Sequence, residues 1–393
     1  MNTNASKSVR DVIAGHLDAV PRSGIRDFFE IVSTMQDVIS LGIGEPDFDT
    51  PWHIREASIF ALERGVTSYT SNFGLLKLRR AIAAYVDRMF GLRYSPEHEV
   101  LVTVGVSEAL DIAIRAICNP GDEIMYHEPC YVSYGPLIQF AHGVPVAVPT
   151  SIENEFRLTR DALEAHVTPK TKALILNYPN NPTGAALTQA DAQAIAEFVI
   201  DHDLLLITDE IYAELSYDHE HISAASFPNM RERTIFLHGF SKACAMTGFR
   251  VGYACAPPEL TDAMMKIHQY TMLCAPILSQ EAALEALDEP ENDIAGMKSE
   301  YQKRRNYLLR SFQEMGLSCF EPRGAFYAFP SVRETGLSSK DFALRLLEEE
   351  KVACVPGTAF GPSGEGFVRC SYATAFDALK EAIKRTAAFL KRL

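Results

Sequence analysis

The stretch TQADAQAIAEFVIDHDLLLITDE, residues 188–210, changes character half-way along. Its first part is amphipathic at helical spacing, and Thr188 with Asp191 three positions on forms a capping-box pattern, so a helix is predicted from there to about residue 203. From Leu204 to Ile207 every residue is apolar. So short and continuous a run marks a strand buried on both faces, as in a parallel sheet covered by helices. A helix feeding such a strand is the repeating unit of the α/β class.

The same alternation spreads outward. EVLVTVG (99–105), DEIMYHEP (122–129), KALILNYP (172–179), TIFLHGF (234–240) and RVGYACAP (250–257) read as further strands separated by helical stretches. After Leu287 the texture shifts, through DEPEND into the charged helical AGMKSEYQKRRNYLLRSFQEMG (295–316). The short runs GAFYAFP (324–330), KVACVPG (351–357) and GFVRCSYA (366–373) follow, with a last helix over 376–393. A chain of 393 residues exceeds the usual size of one hydrophobic core. The expected division is a large domain over 48–290 and a smaller α+β domain from 1–47 and 291–393.

Composition narrows the function classes. With 47% hydrophobic and 22% charged residues the chain is of ordinary globular make-up. A net charge of -14 argues against nucleic-acid or anionic-membrane partners, whose binders carry basic patches. The eight cysteines are scattered without a C-x-x-C pair and read as reduced core residues. No apolar run reaches membrane-spanning length and the first twenty residues lack a signal-peptide core, so a cytoplasmic protein is expected. The HEH at 219–221 lacks the spacing of a helical zinc pair, and no metal is expected.

In open α/β sheets ligands sit beyond the carboxyl ends of the strands. After EVLVTV come Val106 and Ser107, opening a helix whose N–H groups suit an anion; alone, Ser107 reads as a routine N-cap. Tyr131 follows the next strand, as a ring to stack on or as core filling. Asn181 lies in NNPTG, ordinary turn chemistry with a spare amide. Asp209 ends the quoted strand, with Tyr212 just beyond, and a carboxylate there calls for a cation or for solvent. Lys242 stands among small and apolar neighbours in FSKACAMTGFR, where Arg250 offers a bidentate phosphate ligand. An aromatic, an anion cradle, an amide and a phenol, a carboxylate and a lysine together match one cofactor, pyridoxal phosphate (PLP), which needs a Schiff-base lysine and a partner for its ring nitrogen.

At this point the chain resembles the fold-type I PLP-dependent class I aminotransferases of the aspartate and aromatic group. The likeness is carried in order by LGIGEPDFDTP (41–51), YTSNFGLLKLRRAIA (69–83), VTVGVSEAL (102–110), NYPNNPTG (177–184), TDEIY (208–212), GFSKACAMTGFRVGY (239–253), PRGAFYAFP (322–330) and FVRCSYA (367–373). The resemblance implies that Lys242 carries the cofactor and moves the substrate proton, that Asp209 pairs with the ring nitrogen, and that Asn181 and Tyr212 face the phenolic oxygen. It implies further that Tyr131 stacks on the ring and that Val106, Ser107, Ser241 and Arg250 hold the phosphate. Arg369 clamps the substrate α-carboxylate with Gly44 and Asn181, while Ile25 and Ile43 join Tyr131 in an apolar side-chain pocket. Tyr69 resembles the tyrosine that reaches the neighbouring subunit's phosphate, which implies a homodimer with shared active sites. Gly239 departs from the serine many relatives carry there, which implies fewer phosphate contacts.

The implied reaction is ping-pong transfer of an amino group from an L-amino acid, aromatic favoured and aspartate as the alternative, to a 2-oxo acid such as 2-oxoglutarate. A PLP-dependent C–S or β-lyase and a non-enzymatic regulator on the same fold are the rival expectations.

Overall fold

The computed structural model describes residues 9–20, 24–288 and 291–393. The strands, in chain order, are β1 (Ile39–Ser40), β2 (Val100–Thr103), β3 (Glu123–Glu128), β4 (Val144–Pro149), β5 (Thr171–Leu176), β6 (Leu205–Asp209), β7 (Thr234–Gly239), β8 (Gly252–Cys255), β9 (Tyr327–Ala328), β10 (Val352–Ala353), β11 (Val355–Pro356) and β12 (Val368–Ser371). Seven of them form one sheet in the order β2-β8-β7-β6-β5-β3-β4. The pairings among β3 to β7 are parallel, while β8 runs antiparallel to both β2 and β7. The expected fold class, a mostly parallel sheet covered by helices, is therefore observed.

The quoted stretch folds as its periodicity requires. Its helix spans Gln189–Asp201 and begins with a complete capping box between Thr188 and Asp191. Ala192, Ile195, Ala196 and Val199 are buried beneath it. They pack in one cluster with Leu206 of β6 and Leu174 and Leu176 of β5. The opposite face of the sheet is covered by the helix Gly105–Ile117, whose Leu110 and Ile114 meet Ile175 and Ile207. Both faces are thus dry, which is why the strands read as continuous apolar runs.

The edge strand β4 has no counterpart in the sequence reading. Its segment, VPVAVP, carries two prolines, a pattern that argues against a strand, and of its valines Val144 is exposed while Val148 is buried. β4 pairs with β3 alone, so the missing proline N–H groups cost no ladder bond on its open side.

Beyond the large sheet the strands are short. β11, β12 and β9 form a three-stranded antiparallel sheet, and β1 pairs in parallel with β10, placing Ile39 beside Val352. The single run expected over 351–357 is therefore split at Cys354 between two sheets. The long charged helix spans Glu291–Glu314 and the last helix Phe376–Leu390. Around them Leu308, Phe312, Phe326, Phe342, Leu347 and Phe389 form a second core. The expected domain limit at 290 falls beside residues 289–290, and the expected small-domain segment 1–47 contains residues 1–8 and 21–23; these lie outside the described residues.

Candidate active site

The carboxyl ends of the parallel strands open on one cavity of about 460 Å³. Gly42 and Gly44, just after β1, close it from the other side together with Tyr327 of β9 and Arg369 of β12.

Lys242 enters three residues after β7. Its Nζ donates to the Gly44 carbonyl at 2.6 Å and lies 5.9 Å above the Tyr212 ring. Burial, reinforced by the Arg369 charge, pushes its ammonium down to about 8. A neutral amine is therefore accessible close to physiological pH. Asp209, 5% exposed at the end of β6, has the opposite problem. It accepts from Tyr134 Oη at 3.0 Å and from the Ile211 N–H at 3.3 Å. Both donors are neutral, and burial raises its carboxyl to about 6 despite them. A cationic partner is what this carboxylate lacks.

The anion cradle is built from backbone. The helix Gly105–Ile117 starts without a side-chain cap, so Ser107 is not the N-cap that it reads as in isolation. Val106 and Ser107 in its first turn line the cavity, where unpaired N–H groups and the helix dipole favour negative charge. Glu108 Oε2 accepts from the Val104 N–H at 2.5 Å, and the other carboxylate oxygen, Oε1, is met by His268 Nδ1 at 2.6 Å, which steadies the loop from below. Arg250 lies across Gly105, whose φ of 75° suits glycine and where a Cβ would stand 2.5 Å from the guanidinium. Among the described residues its Nη1 donates to the Thr247 carbonyl alone, at 3.0 Å.

Gly239 is explained by the same crowding. A Cβ there would meet Gly252 Cα at 2.9 Å, Val106 Cγ2 at 3.0 Å and the Val251 carbonyl at 3.2 Å. The reversed strand β8 fills the space a serine side chain needs.

Arg369 is 3% exposed and reaches the cavity from β12. Nη1 donates to Asn181 Oδ1 at 2.9 Å and Nη2 to the Gly42 carbonyl at 2.6 Å, while Nε has no partner among the described residues. Its positive charge is thus buried against neutral acceptors.

Except for Ile43 and Tyr69, every site residue expected from the sequence lines this one cavity. Ile43 is 44% exposed and Tyr69 83% exposed, and neither contributes to its wall. The sequence reading passed over Asn177, Glu45 and Tyr327. Asn177 ties two strand ends together, donating from Nδ2 to the Asp209 carbonyl at 2.9 Å and accepting from the Asn181 N–H at 3.1 Å. A polar residue closing an apolar strand was its only signal. Glu45 follows Gly44 onto the wall, where its charge raises the Lys242 pKa against the effect of burial.

Over residues 36–385 the chain matches the family described as aminotransferase class I and II. The chain belongs to this family. Among its relatives is a Bacillus subtilis chain, YugH, whose name carries a provisional aminotransferase assignment; it is 53% identical over 380 residues, covering 97% of this chain and 98% of that one. The aspartate aminotransferase of Pyrococcus abyssi is 46% identical over 376 residues, 95% and 97% of the two chains. A solved structure of an aromatic aminotransferase from Pyrococcus horikoshii OT3 superposes with a TM-score of 0.89 at 46% identity, covering 94% of this chain and 99% of that one.

Aminotransferases of this class use PLP, and amino-group transfer, rather than the rival lyase or regulator, is the activity of this protein. The cavity fits the cofactor chemically. A buried carboxylate answered only by neutral donors suits a protonated ring nitrogen, and an uncapped helix start beside an arginine suits a phosphate. A basic amine lies between them. Among the described residues no helix is long and apolar enough to cross a membrane, and no cluster of three or more potential metal ligands occurs.

Proposed function

We propose that this aminotransferase takes aromatic L-amino acids as donors and a 2-oxo acid such as 2-oxoglutarate as acceptor, by a ping-pong mechanism. The observation that carries the reading is that, among the described residues, the cations on the cavity wall are Lys242, Arg250 and Arg369. In the proposed reaction each of these three has a role, so none of them is left over for a side-chain carboxylate. The wall left for the side chain comes from Ile25, Tyr131 and Tyr327. Equal identity to an aspartate and an aromatic enzyme leaves this choice to the cavity.

In this reading Asp209 holds the ring nitrogen, Tyr131 stacks on the ring, Asn181 and Tyr212 face the phenolic oxygen, and Val106, Ser107, Ser241 and Arg250 hold the phosphate. When bound, PLP supplies an electron sink that acidifies the substrate's α-proton. Arg369 receives the α-carboxylate on the guanidinium edge that includes the unpartnered Nε, with Asn181 and Gly44 beside it. Lys242 takes that proton and returns it to the neighbouring carbon, and its depressed pKa keeps the neutral form available for the step.

The division into domains 48–290 and 1–47 with 291–393 belongs to the same proposal. It is supported by the large sheet lying wholly within 100–255 and the two small sheets wholly outside it. A cytoplasmic homodimer completes the proposal, with Tyr69, 83% exposed, serving the neighbouring subunit's site.

The test is a half-reaction. Single amino acids are added to the PLP-loaded enzyme without acceptor while the cofactor absorbance is followed. Phenylalanine or tyrosine must convert it to the pyridoxamine form. Conversion by aspartate alone overturns the aromatic assignment.

A further inference from the structure

Tyr327 sits where three functional groups meet. Its hydroxyl lies 2.9 Å from Tyr212 Oη, across 115 residues of chain. The Arg369 guanidinium carbon lies 4.6 Å from the centre of its ring. A Cβ built on Gly44 would stand 2.9 Å from the same hydroxyl, so a side chain at 44 would displace this oxygen. Tyr327 is 0% exposed apart from the cavity that it lines.

We propose that Tyr327 is a positioning residue that donates its hydrogen to Tyr212 and so fixes the Tyr212 phenol as a donor into the cavity. The assignment rests on counting hydrogens, together with the reading in which Tyr212 faces the cofactor's phenolic oxygen. Burial holds both phenols above their ordinary pKa, so each carries one hydrogen. Were Tyr212 the donor, the Tyr327 hydrogen would need an acceptor of its own. Among the described residues its hydroxyl makes no hydrogen bond other than the one with Tyr212, and the guanidinium beside it has donors only. Tyr327 as donor leaves no group unserved and frees the Tyr212 hydrogen for the ligand. A phenol that accepts a hydrogen bond is also the stronger donor.

Tyr327→Phe removes the hydroxyl and keeps the ring beneath Arg369. The readout is the pH midpoint at which the visible absorbance of the PLP-loaded, substrate-free protein reports loss of the proton on Lys242 Nζ. A weaker Tyr212 donor leaves more negative charge on the ring oxygen next to that nitrogen, so its proton is held more tightly. The midpoint must rise, by about half a pH unit. In a Tyr212→Phe background the same change must add nothing, because the route through Tyr212 is gone. A midpoint equal to that of the unmodified protein, or an equal shift in both backgrounds, overturns the proposal; a merely structural role predicts one of these. If Tyr327→Phe does not fold, 3-fluorotyrosine at 327 keeps the shape with a more acidic hydroxyl. It must then lower the midpoint, and no movement overturns the proposal. Failure of the underlying site reading looks different: a visible band that survives Lys242→Ala.

Discussion

Asp209→Asn is expected to stabilise the cofactor-free protein while weakening its hold on the cofactor. Burial raises the Asp209 carboxyl from 3.8 to about 6, so the folded state binds its proton more tightly than the unfolded chain does. The sign follows from that difference. The cost of keeping the ionised group in the fold is nearly absent below 3.8, grows as pH rises through the interval and is complete above about 6. A shift of roughly two pH units corresponds to about 3 kcal/mol at neutral pH. Asparagine escapes this cost but turns one acceptor into a donor, forfeiting the weaker of the two hydrogen bonds, the 3.3 Å contact from Ile211, for about 1 kcal/mol at any pH. The assay is urea unfolding of the apo protein and the variant across a pH series. The variant's stability relative to the parent must climb by about 2 kcal/mol between about pH 4.5 and about pH 8. PLP affinity, measured by absorbance, must fall because the charge that meets the ring nitrogen is gone. A stability difference that stays flat with pH, or declines as pH rises, would refute the idea that this carboxylate lies uncompensated until the cofactor arrives.

Two further substitutions test other parts of the site. Gly239→Ser, which restores the residue many relatives carry, must destabilise the fold by about 2 kcal/mol through overpacking against β8 and must weaken PLP binding; tighter binding would show that β8 gives way. Arg369→Lys keeps the charge but loses the planar fork, so KM for the amino acid must rise roughly 10- to 100-fold with PLP loading unchanged. A KM within twofold of the parent value would contradict the carboxylate role.

Legibility in the sequence followed the physics of each part. The Gln189–Asp201 helix was readable because its cap and its buried face are both local features. The central strands were readable because two dry faces leave few polar residues in each run. β4 was hidden because its prolines are excluded from strand interiors and allowed at an open edge, a distinction that depends on neighbours over twenty residues away. Lys242, Asp209 and Arg250 could be picked out by position, each falling beside a strand end. Tyr327 could not, since GAFYAFP reads only as a strand, and its partners Tyr212, Gly44 and Arg369 come from three distant segments. Ile43 was placed in the apolar side-chain pocket, yet it is 44% exposed and does not line the cavity.

The reversal of β8 reaches beyond sheet topology. Parallel strands present their ends at the cavity, whereas β8 presents its beginning, so the link between β7 and β8 never leaves the cavity rim. Lys242 near one end of that link and Arg250 near the other are thereby bound to a single short span of chain. A residue inserted there would move the amine or the guanidinium against a fixed frame, whereas the crossovers between parallel strands can change length on the far side of the sheet. Length variation in natural or engineered variants should therefore stop abruptly at residues 240–251, making this span the least editable interval in the molecule.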